Sequence, residues 1–320
     1  MAFGDNITST EAGPLIPEEV SDAIIRDVVE TGWIFRLARR LPNMSRSQQR
    51  LPVLATLPTA SFVDGGEGGL IETAEVSWEN RYVDAAKIAA IVPVTQEVLD
   101  DADYPIWDQV QPLIAEAVNL AVSAGVLYGT NIPSSWETNL GSADGIVGQA
   151  TGAGNTVSVA NHTDFYEAVL GETAAGEADG LHAEVEDDGF VVTGQVAHPN
   201  VRARIRNTRS TDGFPLLDSE GNIGGAPVEY PVDGSINSAT SLMVAGDWNK
   251  LVYSWRRDMR FTVLTEGVLT DKAGNITINL AQQDMIALRI VARLGFALPN
   301  PINRMETTRA DRSPFAVLTA

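Results

Sequence analysis

The sequence predicts an α+β fold, with helices and strands following one another in no regular βαβ alternation. Three observations lead there. Residues 17–30 carry an apolar stripe at helical spacing, and residues 104–129 carry a second, broader one. Residues 51–94 read as short extended runs broken by Pro52, Pro58 and a glycine tract. From Val252 onward the pattern is again β, up to a closing apolar segment at 286–296. The chain has 320 residues, 44% hydrophobic and 20% charged, so one large domain or two ordinary ones can bury a core.

Taken in order, the first sixteen residues are polar and read as an arm. Pro17 opens a helix, with Glu18 and Glu19 at its positive end and Val20, Ile24 and Val28 on one face. Gly32 ends it. The runs Val76-Ser77-Trp78 and Arg81-Tyr82-Val83 suit strands, and Lys87 to Val94 reads as a buried strand. Together they suggest a long two-stranded excursion whose flexible tip is Gly65, Gly66, Gly68 and Gly69. Such a ribbon is marginal alone and rests on something else. A long helix follows from Tyr104-Pro105, where Pro112 is expected to kink it or mark its true start, and stops at Gly129. Residues 129–160 look loop-dominated. His162 to Ala175 reads as helix, Phe190-Val191-Val192 as a short buried strand, and Pro199 onward as a helix with Val201 and Ile205 inward. Turns fall at 213–218 and 221–225. Strands are expected at 242–245, 252–265 and 275–280, with Asp271 to Asn275 turning between the last two. The 286–296 segment alternates as a strand does, although its Ala and Leu content also fits a helix.

Composition excludes several classes. The net charge is −20 and the pI near 4.4, which argues against a protein that coats nucleic acid with its whole surface. There is no cysteine, so disulfides, thiolate metal sites and thiol nucleophiles are excluded. No apolar run reaches the roughly 18 residues of a membrane helix, and the first residues lack a secretory pattern. His162, His182 and His198 form no ligand spacing and read as surface or locally bonded. The clusters 100–103 and 184–188 could supply oxygen to Ca²⁺ but fit no calcium loop; the simpler reading is a helix-terminal cluster and a solvated loop. Asp100 and Asp101 are adjacent and point apart, which makes a poor carboxylate pair. The glycine tract lacks a GK[ST] ending, and Asp64 and Glu67 would repel phosphate. There is no GxSxG elbow. No catalytic, cofactor or metal residue is therefore assigned. Arg202, Arg206 and Arg209 share one helical face, readable as a solvated face, a contact with an acidic neighbouring subunit, or a nucleic-acid contact.

The order of these features resembles the major capsid proteins of tailed bacteriophages, with the Hong-Kong-97-type fold. The helix from Pro17 to Glu30 is similar to that family's N-terminal arm helix. The ribbon from Arg50 to Arg81 is similar to its extended loop, or E-loop. The return strand and following residues, Ala86 to Asp101, carry the most specific match: a Lys-apolar-Ala strand, a Thr and an acidic-apolar run. The helix ending at Leu127-Tyr128-Gly129-Thr130 resembles the spine helix. Gly213-Phe214-Pro215-Leu216, Gly225-Ala226-Pro227-Val228 and Ala245-Gly246-Asp247-Trp248 resemble pieces of the axial domain, and Arg289 to Phe296 the closing peripheral-domain segment. The implied layout is an arm and helix over 1–35, a connector over 36–49, the E-loop over 50–85 and a peripheral domain with spine helix over 86–130. The axial domain follows over 131–250, peripheral return strands over 251–300 and a C-terminal segment over 301–320. Some relatives crosslink a lysine of the E-loop to a neighbour's asparagine. Here Lys87, Lys250 and Lys272 all lie off the loop tip, so no such crosslink is expected. Any scaffolding is expected from a separate protein, or from a longer, processed precursor.

The resemblance implies a non-enzymatic subunit that assembles with itself into hexamers and pentamers of an icosahedral shell. The shell would be built in the host cytoplasm, enclose double-stranded DNA without sequence-specific binding, and take a portal protein and possible scaffolding and decoration proteins as partners. It implies no cofactor and no membrane. Charge distribution adds a specific expectation. Asp64, Glu67, Glu72, Glu75 and Glu79 precede any base on the ribbon's second limb, while Arg36, Arg39, Arg40, Arg46 and Arg50, then Arg202, Arg206 and Arg209, and the arginines of 256–260, are gathered elsewhere. The acidic limb is expected to lie on arginines of an adjacent subunit, giving register more than affinity. Two alternatives remain open: an encapsulin-like compartment enclosing a cargo enzyme, and a soluble α+β enzyme or binding protein, which would need a convergent polar pocket.

Overall fold

The computed structural model describes residues 32–62, 73–101, 106–171, 179–207, 221–271 and 273–320. The helix expected from Pro17, the tip glycines Gly65, Gly66, Gly68 and Gly69, the acids Asp64, Glu67 and Glu72, Arg209, and the 213–218 turn lie outside the described residues. The chain divides into two units. The described part of the first comprises Ala86–Asn119 and Trp255–Leu294; the second comprises Trp33–Ala85, Leu120–Ser254 and Gly295–Ala320.

The first unit is built on long strands. β4 (Ala86–Thr95) pairs antiparallel with β12 (Met285–Ala297), from Ala86 opposite Leu294 to Thr95 opposite Met285. β12 is flanked on its other side by β9 (Val252–Leu264). The alternation of 286–296 thus resolves as strand, because Leu288, Ile290, Ala292 and Leu294 are buried while Arg289 is exposed. β4 is not the buried strand expected from its apolar run. It is the outer strand of its sheet, and Lys87, Ala89 and Ile91 are exposed. The short helix α2 (Gln96–Asp101) continues directly from β4 and precedes the long helix α3 (Ile106–Tyr128). Helix α3 runs through Pro112, which therefore does not mark its start. A proline in the second turn forfeits one bond among many. Asp271 to Asn275 turns as expected, but between two short strands, β10 (Val268–Thr270) and β11 (Ile276–Asn279), because β9 ends at Leu264. Asp271 Oδ1 holds that turn by accepting from the N–H groups of Ala273 and Asn275.

In the second unit, Trp33–Leu37 forms a short helix, α1, whose Trp33, Ile34 and Phe35 are buried. β1 (Arg39–Arg40) then runs parallel to Val252 and Tyr253. β2 (Gln48–Thr56) and β3 (Ser77–Asp84) form the expected antiparallel ribbon, with a register shift between Leu54 and Thr56. A five-stranded sheet is built from β5 (Thr156–Ser158), β6 (Gly194–Ala197), β7 (Val228–Glu229), β8 (Met243–Gly246) and β13 (Phe315–Thr319), in the order β5-β13-β8-β6-β7. Its core gathers Phe165, Val169, Leu181, Val185, Val201, Ile205, Met243 and Leu318.

Several expectations for this unit are corrected. The 129–160 stretch holds two helices, α4 (Ser134–Leu140) and α5 (Gly145–Ala153), because Trp136, Leu140, Ile146 and Ala150 give its polar sequence buried anchors. Gly129 ends α3 as expected, with φ of 67°; a Cβ there would lie 1.7 Å from the Ala143 carbonyl oxygen. The 162–175 helix is confined to Phe165–Leu170, α6, whose cap Asp164 accepts from the N–H of Tyr166 and Glu167. Phe190 to Val192 is not a strand, and Val191 is exposed; the strand begins at Gly194. The acidic run 184–188 is no solvated loop. It belongs to helix α7 (Leu181–Asp187), and Asp188 is buried. His182 on the same helix is buried, not at the surface. Helix α8 (Val201–Asn207) buries Val201 and Ile205 as expected. The last residues form β13, inserted between β5 and β8.

Candidate assembly surfaces

The ribbon presents two unlike faces because side chains alternate along each strand. One carries Val53, Leu51, Val83, Glu79 and Arg81. Val53 and Val83 are buried, and Val83 packs in a small cluster with Met44, Val252 and Ala297. The other carries Leu54 opposite Trp78, Pro52 opposite Asn80, and Arg50 opposite Tyr82. Trp78 is 66% exposed, and Leu54 and Tyr82 are exposed as well. Past the paired region, Phe62 is fully exposed.

The ribbon's root is fixed by polar contacts. Trp136 Nε1 donates to the Asp84 carbonyl at 2.9 Å and Asn139 Nδ2 to the Asp84 carboxylate at 2.9 Å. Gly295 lets the strands close in, since a Cβ there would lie 2.5 Å from the Asp84 carbonyl oxygen. Below this root, Phe35, Tyr253, Phe296 and Trp136 form a run of ring contacts with centroids 5.2–5.8 Å apart. The segment after β12 reaches the ribbon twice. Arg304 donates to the Pro58 carbonyl at 2.9 Å, and Arg309 pairs with Glu79.

These contacts sort the residues named from sequence. Glu79 is engaged within its own chain, where it accepts from Arg309 and, at 2.7 Å, from Arg81. Arg36 is paired with Glu229 at 2.7 Å. Arg40 donates to Asn43 at 3.3 Å, Arg202 lies 5.7 Å from the centre of the Tyr230 ring, and Arg206 donates to the Arg202 carbonyl. Glu75, Arg39, Arg46 and Arg50 are exposed and make no ion pair among the described residues. Among the described residues, Glu75 and Glu79 make no ion pair with the arginines named from sequence. Sequence reading missed Trp78, Tyr82 and Leu54 as one open face, although their alternation carries the signal. It also missed Arg304 and Arg309, which carry no local signal.

One concave site of about 640 Å³ is lined by Tyr128, Thr130, Asp144, Thr151, Ser235, Asn237 and Thr240. Tyr128 Oη accepts from the Asn237 N–H at 2.9 Å and bonds Ser241 Oγ at 2.7 Å; burial still pushes its hydroxyl pKa up. Among the described residues, Asp144 is the only charged group in that lining. Among the described residues no group of three or more His, Asp or Glu is placed to hold a metal ion, and no helix is long and apolar enough to cross a membrane.

An exposed ribbon, anchored at its root and open along an aromatic face, is the mark of a subunit completed by other chains. The comparisons with known proteins agree. The model of the phage capsid family matches residues 12–303. The major capsid protein of Staphylococcus phage 80alpha is 28% identical over 283 residues, covering 85% of this chain and 78% of its own. A solved structure from Microbacterium phage Oxtober96 is 28% identical with a TM-score of 0.73, covering 98% of this chain and 99% of that one. One from Mycobacterium phage Adephagia shares the fold at 24% identity and a TM-score of 0.72, covering 98% of each chain. The chain belongs to the phage capsid family. It has the Hong-Kong-97-type fold and the function of a tailed-phage major capsid protein, a structural subunit that assembles with itself into a shell and not an enzyme.

Proposed function

We propose that the subunit forms hexamers and pentamers that close into an icosahedral shell around double-stranded DNA, held without sequence-specific contact. The observation that carries this reading is the open face of the ribbon. Leu54 and Trp78 stand exposed side by side, with Tyr82 two pairs further along the same face, and apolar surface of that kind on a rooted two-stranded element gains its stability when another subunit covers it. The acids Asp64, Glu67, Glu72 and Glu75 extend along the same excursion and set its register on a basic surface of the neighbour. The ribbon serves as the E-loop, and the five-stranded sheet with its helices serves as the axial domain. Assembly takes place in the host cytoplasm, with a portal protein at one vertex and with scaffolding or decoration supplied by separate chains.

Negative-stain electron microscopy of the expressed protein tests the reading together with a nuclease-protection assay on particles from the native source. Closed shells or capsomers and protected duplex DNA are expected. A monodisperse monomer at every salt concentration, with no shell, tube or capsomer, would overturn it.

A further inference from the structure

The ribbon is fixed at its root, yet residues 298–312, which follow β12, meet it at two points farther out. Glu79 stands five residues from the root residue Asp84, about 17 Å along β3, and Pro58 lies beyond Thr56, the last residue of β2. Arg309 pairs with Glu79, and the same guanidinium donates to the Pro299 carbonyl at 3.0 Å. Arg304 donates to the Pro58 carbonyl at 2.9 Å. Residues 298–312 hold neither helix nor strand and are braced by polar contacts instead. The buried Arg312 donates to Asn300 Oδ1 at 3.1 Å and to the Glu306 carbonyl at 2.7 Å, which closes the segment into a loop. Asn303 Nδ2 ties that loop to the carbonyl of Asp188, the residue after helix α7.

We propose that residues 298–312 are a strap, with Arg304 and Arg309 as positioning residues that set the ribbon's angle on its own subunit before assembly. This role rests on the shell reading and gives one chain the means to aim its open face. The side from which the strap holds the ribbon decides what it can do. Glu79 alternates with Trp78 along β3 and stands opposite Val53, on the face that also buries Val83. The strap therefore grips that face and leaves Leu54 and Trp78 uncovered. A two-stranded ribbon held at its root alone is free to swing. A swing of about 10° about the root would carry Glu79 about 3 Å, enough to break its contact with Arg309. The ion pair is half-exposed and weak by itself, but it acts far from the pivot, where a small force fixes an angle. Freedom removed in the single subunit is not lost again on association, so a strapped ribbon assembles at lower concentration. Arg81 also donates to Glu79, so removing Arg309 releases the strap without leaving the carboxylate bare.

The chain has no cysteine, so Ala60→Cys on the ribbon and Ala239→Cys in the turn before β8, both exposed, give two unique sites for spin labels. Pulsed electron paramagnetic resonance on the full-length unassembled subunit then reads the distance between them. One narrow distribution is expected with the strap intact. R304Q/R309Q is expected to broaden it at least about twofold and to raise the concentration needed for shells about fivefold. R304K/R309K, which keeps both charges, is expected to restore most of the narrow distribution. Melting of the unassembled subunit reports folding of each variant. E79Q reaches the same hold from the ribbon, which keeps the test open if a strap variant does not fold, and R309Q is expected to add nothing in its background. A width unchanged in folded R304Q/R309Q and in E79Q would overturn the proposal while leaving the shell reading intact. So would a broad distribution in the parent, additive effects of E79Q and R309Q, or broadening with no change in the shell threshold. Absence of shells from the wild-type protein would overturn the shell reading itself.

Discussion

At the residue scale, three side chains carry distinct and separable consequences. Trp78 is exposed in the single subunit, so its removal should spare the fold and weaken the assembly. Trp78→Ala is expected to leave the melting temperature of unassembled subunit within about 2 °C and to raise the concentration needed for shells about tenfold or more, as a buried aromatic anchor does when truncated. Light scattering against protein concentration measures it. His182 acts inside the fold. Burial holds its imidazole below the usual histidine range, and contacts with Gln195 and the Glu186 carboxylate only partly oppose that shift. The native state therefore keeps it neutral, whereas the unfolded chain takes up a proton as pH falls through about 6.5. Its contribution to stability is complete above that pH and declines below it. Burial raises the pKa of Glu184 and Asp188, which gives a slope of the opposite sign. The comparison that isolates His182 is thus between the parent and His182→Gln, whose melting temperature should fall less between pH 7 and pH 5. Equal slopes would remove His182 from the account. Asp188 is the third. Its carboxylate accepts from Asn155 Nδ2 and from the Ser313 N–H, both at 2.7 Å. Asp188→Ala leaves the Ser313 N–H without its acceptor and Asn155 Nδ2 with only its longer contacts to the Glu184 and Ser313 carbonyls, and should cost about 1–3 kcal/mol in denaturant unfolding.

At the element scale, the same Asp188 contact ties the last strand into place. β13 lies between β5 and β8, so the five-stranded sheet has a gap at its interior until the final residues join it. Phe315, Ala316, Val317 and Leu318 are fully buried there. The turn before the strand is locked by Arg312, which donates to Asn300 Oδ1 at 3.1 Å, to the Asn300 carbonyl at 3.2 Å and to the Glu306 carbonyl at 2.7 Å. Val317→Asp should therefore abolish soluble, cooperatively melting subunit, because it buries an unpaired charge in an inner strand of the sheet. Circular dichroism melting decides it; a cooperative transition near that of the parent would contradict the packing described. The sequence is most legible where an element is long or strictly periodic. The ribbon, the 106–128 helix and β9 and β12 were readable because one spacing persists over many residues. β13 was hidden by its brevity and terminal place, although Phe315 to Leu318 is a plain apolar run. The helices within 134–153 were hidden by Gly, Ser and Thr, since only tertiary contact reveals that Trp136 and Ile146 are buried. Lys87 to Val94 misled in the opposite direction, because an apolar run reads the same in an inner strand and in this edge strand, where Lys87, Ala89 and Ile91 are exposed.

At the scale of the whole molecule, charge distribution decides how assembly responds to the solution. The sites became legible in part. The acidic limb was evident because five acids precede any base, but which arginines answer it depends on pairings such as Arg36 with Glu229 and Arg309 with Glu79, more than 190 residues apart in each case. A net charge of −20 per subunit sets a repulsion between copies that every contact has to overcome. That repulsion acts over distances comparable to the Debye length, about 30 Å at 0.01 M salt and about 10 Å at 0.1 M. Apolar contacts of the kind that the exposed Trp78 and Leu54 offer carry no charge and are not screened in this way. Raising salt from about 0.01 to about 0.1 M should therefore favour assembly, since it weakens the long-range term first. Further salt should reverse the trend only as the close ion pairs are screened. Sedimentation velocity across the salt series measures this; shell yield that fell steadily as salt rose from about 0.01 to about 0.1 M would contradict it.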